Sequence, residues 1–219
     1  MAEAKSAQMK LSRPLLHGTA AAFDACLFGL FINGGMPWAL FAAVALLVSA
    51  LTIAHSFLKE SNPPLILGLL PFSRKLIPCL VLGSAFGIVL GLLFRFYGDL
   101  PLLPKGVGGF VIVAVGIGAT EEILFRGYIQ GRFQVLGWYL APILAAAAHT
   151  IYKVALFASP PAGVVVDYPL LAVGTLLAGI VFGGLREWSG SVLPPLAGHV
   201  LFDIIVYGER AHAPWWVWA

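Results

Sequence analysis

Glu121 and Glu122 stand side by side in Thr120-Glu121-Glu122-Ile123-Leu124-Phe125-Arg126-Gly127, at the end of an apolar run over 108–119. Downstream, His149 lies in Ala145-Ala146-Ala147-Ala148-His149-Thr150. His199 lies in Pro194-Pro195-Leu196-Ala197-Gly198-His199, with Asp203 four residues further on. Carboxylates and imidazoles together can activate water. A carboxylate takes a proton from water and returns it to a leaving amine, and an imidazole donates to the developing oxyanion. Two histidines and a carboxylate are also a known zinc ligand set. The zincin spacing His-Glu-x-x-His is absent, as are a Ser/His/Asp arrangement and a Gly-rich phosphate loop after a strand.

The spacing divides the labour. Glu122 and Arg126 are four apart, lie on one helix face and can neutralise each other. Glu121 points about 100° away on the same helix, without a local partner. His199 and Asp203 are again four apart, so they can hydrogen-bond or jointly face a cavity. The competing reading is that the helix simply ends at Glu121 and that the charges are solvated. A charge at bilayer depth costs roughly 3 to more than 10 kcal/mol. Ile123, Leu124 and Phe125 inside the cluster, and histidines inside later apolar segments, favour a shared polar site within the membrane.

The elements that must position these residues follow from composition. The chain has 219 residues, 60% hydrophobic and 11% charged, and a soluble domain carries about twice that charge. The expected fold class is all-α: a polytopic transmembrane helix bundle of about seven spans, each near 20 residues. The candidates are 14–33, 36–58, 74–97, 106–130, 138–158, 168–187 and 192–208. They are separated by Asn33-Gly34-Gly35, Asn62-Pro63-Pro64, Gly98-Asp99-Leu100-Pro101, Ser159-Pro160-Pro161 and Ser189-Gly190. The stretch 65–71 is too short to cross. Lys5, Lys10 and Arg13 precede an apolar run, but Asp24 interrupts it and no clean cleavage site follows. It reads as a retained first span. Domain organisation is expected to be one transmembrane domain over 1–219.

Orientation follows lysine and arginine. With the N-terminus in the cytoplasm, Lys5, Lys10, Arg13, Lys59, Arg74, Lys75, Arg126, Arg132 and Arg186 fall inside. Arg95, Lys105, Lys153 and Arg210 fall outside. Trp38, Tyr97 and the Trp215-Trp216-Trp218 tail then mark one interface, and Trp138, Tyr139 and Trp188 the other. Gly83, Gly87 and Gly91, Gly127 and Gly131, and Gly174, Ala178 and Gly179 form small-residue ridges for close helix approach. Lys153 is expected to snorkel to the interface, and Asp24 to face the bundle interior and accept a hydrogen bond. Net charge is +3, with basic residues scattered, so no nucleic-acid partner is expected. Cys26 and Cys79 support neither a disulfide framework nor a metal site.

These motifs resemble the CPBP family of CAAX proteases and bacteriocin-processing, Abi-type membrane proteins. That family is marked by EExxxR, FxxxH and HxxxN or HxxxD on successive transmembrane helices. Glu121-Glu122 to Arg126 and His199 to Asp203 match. His149 matches the second, with Ala145 where phenylalanine is usual. Leu67-Gly68-Leu69 to Pro71-Phe72 also looks like the family, and the likeness covers about 60–208. The resemblance implies an intramembrane glutamic endopeptidase acting on a membrane-associated peptide or protein. The substrate would be a CAAX-type protein, a leader peptide or a sorting-signal tail. It implies Glu121 as general base, His149 assisting water activation, His199 and the residue at 203 stabilising the oxyanion, and Glu122 with Arg126 holding the helix; because an ionised aspartate cannot donate, Asp203 is expected to orient His199. No cofactor or metal is expected. The location is an integral, multi-pass protein of the plasma (inner) membrane. Other readings are a non-catalytic immunity or chaperone protein of the same fold, a zinc-dependent membrane protease, and a proton-coupled transporter. No inverted repeat between the halves supports the last.

Overall fold

Each expected span is occupied by helix. The computed structural model describes residues 2–59, 63–69 and 73–217, with side chains from Ser12 onward except at Thr52, Ser56, Pro63 and Pro64. Asn62, Pro71, Phe72 and Trp218, and the side chains of Lys5 and Lys10, therefore lie outside the described residues. The elements are α1 (Ala2–Ile32), α2 (Trp38–Leu58), α3 (Pro63–Leu67), α4 (Leu76–Tyr97) and α5 (Phe110–Glu122), which runs on as a π-helical segment (Ile123–Ile129) into α6 (Gln130–Phe133). A 3-10 turn (Gln134–Leu136), α7 (Leu140–Leu156), α8 (Tyr168–Ser189) and α9 (Leu193–Tyr207) complete the order. The one extended pairing among the described residues is an isolated bridge between Leu69 and Ser191. The fold is all-helical.

Among the described residues, four helices are long and apolar enough to cross a membrane: Ser12–Ile32, Trp38–His55, Leu76–Tyr97 and Tyr168–Ser189. Leu140–Leu156 and Leu193–Tyr207 are apolar but shorter. At 1.5 Å per residue they measure about 26 and 22 Å, less than the roughly 30 Å of a hydrocarbon core. These two short helices carry the histidines. The α5–π–α6 run is the seventh crossing element.

Burial follows from a solvent that is itself apolar. Leu47, Leu51, Leu82, Val89, Phe96, Ile112 and Val173 point outward, a coat that suits lipid and would be an aggregating patch in water. The core forms where α1, α7 and the π segment meet, around Phe28, Phe125, Tyr128, Ile129, Ala145 and Tyr152. On the other side α4 packs along α9, and α9 along α5. Asp167 caps α8 by accepting the Leu170 backbone N–H at 2.9 Å, and Gly190 ends it in the left-handed region. That N–H and the Tyr97 hydroxyl hold the Asp167 carboxyl below its usual range, which ties the end of α4 to the start of α8. Arg95 is fully buried near the end of α4 and donates to the carbonyls of Ile205 and Pro101 and to Glu209.

The glycine ridge of α4 is a contact surface. A Cβ at Gly83 would meet the Pro194 carbonyl, one at Gly91 the Ile205 side chain, and one at Gly87 the Gly198 carbonyl oxygen. On α8 the ridge lies one turn later than the sequence suggests: Gly174 faces open space, while Gly179 and Gly183 pack on Ala146 and Pro142. At Gly87 the obstacle is backbone, which cannot rotate away. Gly87→Ala is expected to destabilise by about 1–3 kcal/mol, the range for overpacking. Gly116→Ala, where a Cβ meets nothing within 4 Å, should be close to neutral. Thermal unfolding of the two variants in the same detergent checks the contrast.

Candidate active site

The segment after Glu122 departs from α-helix at the acidic motif. Over Ile123–Ile129 the backbone takes π-helical spacing, a feature that recurs at functional sites. Residues 125–130 are all buried, with α1, α3, α7 and α8 packed against the segment. The charges are therefore not at a solvated helix end: Glu121 is 4% exposed, Glu122 0% and Arg126 1%.

The structure brings Glu121, Glu122, Arg126, His149, His199 and Asp203 together from three chain segments. Arg126 Nη1 lies 3.1 Å from Glu122 Oε1 and 2.9 Å from His149 Nδ1. A guanidinium can only donate. The Nδ1 atom of His149 is therefore the acceptor, its proton sits on Nε2, and Nε2 donates to Glu121 Oε2 at 3.1 Å. This tautomer is assigned from the network. It makes Arg126 the residue that aims His149 at Glu121.

His199 is oriented from the same strand of charge. Its Nδ1 is 2.7 Å from Glu122 Oε1, so Glu122 holds Arg126 and His199 at once. The i,i+4 relation to Asp203 does not do this: His199 Nε2 and Asp203 Oδ2 are 3.9 Å apart, beyond a hydrogen bond. The Nε2 atom instead faces an interval bounded by Glu121 Oε2, also at 3.9 Å, and Asp203 Oδ2. The buried Asp203 Oδ2 has no hydrogen-bond partner among the described residues. Gly118 lets Asp203 and His199 pack close against α5, because a Cβ there would run into Asp203 Oδ2 and the His199 ring.

Lys153 corrects an expectation. Instead of snorkelling outward it turns in, and its Nζ is 2.6 Å from Glu121 Oε1. One turn beyond His149 on α7, it completes a clamp: Lys153 on Oε1 and His149 on Oε2. The oxygen left facing the open interval is Oε2. Tyr152 and Trp216 flank the ammonium at 5.6 and 6.0 Å, within reach of cation–π attraction. Asp24, as expected, accepts a hydrogen bond, here from the Ser49 hydroxyl at 2.7 Å. Lys153→Met is expected to cost about 3 kcal/mol of stability, since it leaves Glu121 buried with a neutral donor alone. Lys153→Arg should restore most of it. A snorkelling lysine would predict no loss in either variant, and thermal unfolding separates the two cases.

The aromatic residue expected near His149 comes from a different helix. Ala145 packs in the core, while Phe125 lies tilted against the imidazole at a centroid distance of 4.5 Å. Phe182 and Phe202 line His199 at 6.4 and 6.2 Å. Phe125 is adjacent to Arg126 in the motif, but nothing in its sequence spacing signals a contact with His149. Arg132 and Arg186, counted in the cytoplasmic set from the sequence, are also buried. Arg186 donates to the Ile66 carbonyl and to Glu187 at 2.9 Å each.

The described structure is an all-helical bundle with a buried glutamate–histidine cluster on its shorter inner helices. Residues 103–205 match the family model for type II CAAX prenyl endopeptidase Rce1-like proteins. The matched segment holds all six clustered residues, in agreement with the resemblance of its motifs. Comparison with curated proteins and with solved structures gives no match. Helices α1 to α4 lie outside the matched segment.

Proposed function

We propose that the protein is an integral membrane endopeptidase that hydrolyses a peptide bond in a membrane-associated substrate, with Glu121 as the base. The observation that carries this is the geometry around Glu121 Oε2. It accepts a hydrogen bond from His149 Nε2 and lies 3.9 Å from His199 Nε2, which is also 3.9 Å from Asp203 Oδ2. Water held there gives its proton to Glu121 as its oxygen adds to the substrate carbonyl carbon. The resulting oxyanion takes a hydrogen bond from His199 when Nε2 carries a proton. The C–N bond then breaks, and Glu121 returns the proton to the leaving amine. Asp203 accepts from the water or the substrate amide. Arg126 and Glu122 hold the two imidazoles. Residues 60–208 form the protease core of a single unit spanning 1–219, with the N-terminus on the cytoplasmic side of the plasma membrane. The substrate is of CAAX, leader-peptide or sorting-signal type.

The test is a comparison of membrane proteomes from cells carrying the wild-type protein, Glu121→Gln or neither, read as new chain termini. Termini present only with the wild type support the reading, and identical sets in all three overturn it. Metal dependence is a separate check. Lys153 and Arg126 already place two cations on Glu121 and His149, which opposes a divalent ion at the same atoms. Activity of the purified protein is therefore expected to survive strong chelation. Loss to a chelator and recovery with added zinc would reassign His149 and His199 to metal ligation.

A further inference from the structure

A cavity of about 800 Å³ lies between α1, α2 and the α5–π run, with Glu121 in its wall. Its size is within the range of sites that enclose a ligand. The lining is apolar apart from four hydroxyl-bearing residues and two carboxylates, Glu121 and Asp24. The two carboxylates differ in their surroundings. Glu121 is held by Lys153 and His149. Asp24 receives one neutral hydrogen bond, from Ser49, whose hydroxyl also lies 2.9 Å from the Ala45 carbonyl. No ion pair to Asp24 occurs among the described residues, and His17, on the same face of α1, and Tyr128 also line the small cleft beside it. A carboxylate has about four acceptor positions, and an intramembrane charge without a partner is costly. Asp24 is half-buried and borders both this cavity and the smaller cleft. It also belongs to α1, outside the segment matched by the protease family.

We infer that Asp24 is a specificity subsite: it takes the ammonium or guanidinium of a lysine or arginine side chain in an otherwise apolar substrate segment lying in this cavity. The inference rests on the peptidase reading for the position of the scissile bond at Glu121, and on the cavity and a carboxylate without an ion pair among the described residues for the cation. The catalytic half of the bundle supplies the chemistry. The wall from α1 and α2 supplies the choice of substrate, by a charge pair that an apolar side chain cannot make.

The experiment uses the full chain in lipid nanodiscs and fluorescent apolar peptides carrying one lysine, walked through the sequence, each with a norleucine twin. Binding is measured on Glu121→Gln protein, and cleavage on protein with Glu121 intact. In one register the lysine peptide is expected to bind about 10-fold more tightly than its twin, a free-energy difference of about 1.4 kcal/mol. Asp24→Asn should bring that ratio to about 1 while leaving norleucine binding unchanged, and Asp24→Ser should do the same if the first variant folds poorly. Equal binding of lysine and norleucine peptides in every register overturns the subsite, as does a preference that survives both substitutions. Displacement of every peptide by lipid alone, without register dependence, would mark the cavity as a lipid site and also overturn it. The two readings fail separately. Lysine-dependent binding without cleavage upholds the subsite and defeats the peptidase. Cleavage indifferent to lysine does the reverse.

Discussion

Glu121→Gln is expected to lower hydrolysis by roughly 10²–10⁴-fold, the usual worth of a positioned general base. The amide keeps the shape of the carboxylate and still accepts from His149, but it cannot take a proton from water. The stability cost should be small, about 1 kcal/mol. Lys153 loses its ion-pair partner, yet its side chain is 16% exposed and hangs on a flexible stem, so the ammonium can swing toward water or headgroups. Activity per folded molecule in proteoliposomes, beside a melting curve in the same preparation, reads both quantities. Full activity in this variant would remove Glu121 from the chemistry.

Glu122→Gln should behave in the opposite way. Glu122 Oε1 holds Arg126 at 3.1 Å and His199 at 2.7 Å, and neither Glu122 nor Arg126 has access to solvent. Removing the charge leaves a guanidinium stranded in the interior, and breaking a buried pair from one side costs about 3–5 kcal/mol. Loss of yield and of thermal stability should therefore dominate. A residual fall in activity per folded molecule follows from the weaker hold on His199. If Glu122→Gln abolished turnover without destabilising the protein, while Glu121→Gln kept it, the two glutamates would exchange roles.

The difference between the two variants depends on where the neutralising cation can go. Lys153 sits at the edge of the site and Arg126 at its centre. Sequence spacing anticipated the Glu122–Arg126 pair, because partners four residues apart on one helix are a local matter. It did not anticipate Lys153 on Glu121, because that contact joins α7 to α5 across 32 positions. The solvated-helix-end reading fails for the same kind of reason. Burial of Glu121 is decided by the helices around it, not by the residues beside it. The ridge Gly83-Gly87-Gly91 was legible as a contact surface, but its partner α9 was not.

By itself the sequence determined the helical bundle, the approximate bounds of its spans, and the small set of carboxylates and imidazoles that an apolar chain would not otherwise keep. These are properties of hydrophobic length and of residue type in a local setting, and both are written into consecutive residues. Only the tertiary structure decided the wiring: His149 aimed by Arg126, His199 held by Glu122 and not by Asp203, Phe125 in place of an aromatic at 145, Lys153 drawn inward, and a π-helical turn at the motif. Each depends on how one helix is rotated against another. At an interhelical contact a rotation of a few tens of degrees moves a side-chain tip by several ångströms, more than the tolerance of a hydrogen bond. Such rotations are set by the packing of the whole bundle, which no single segment encodes.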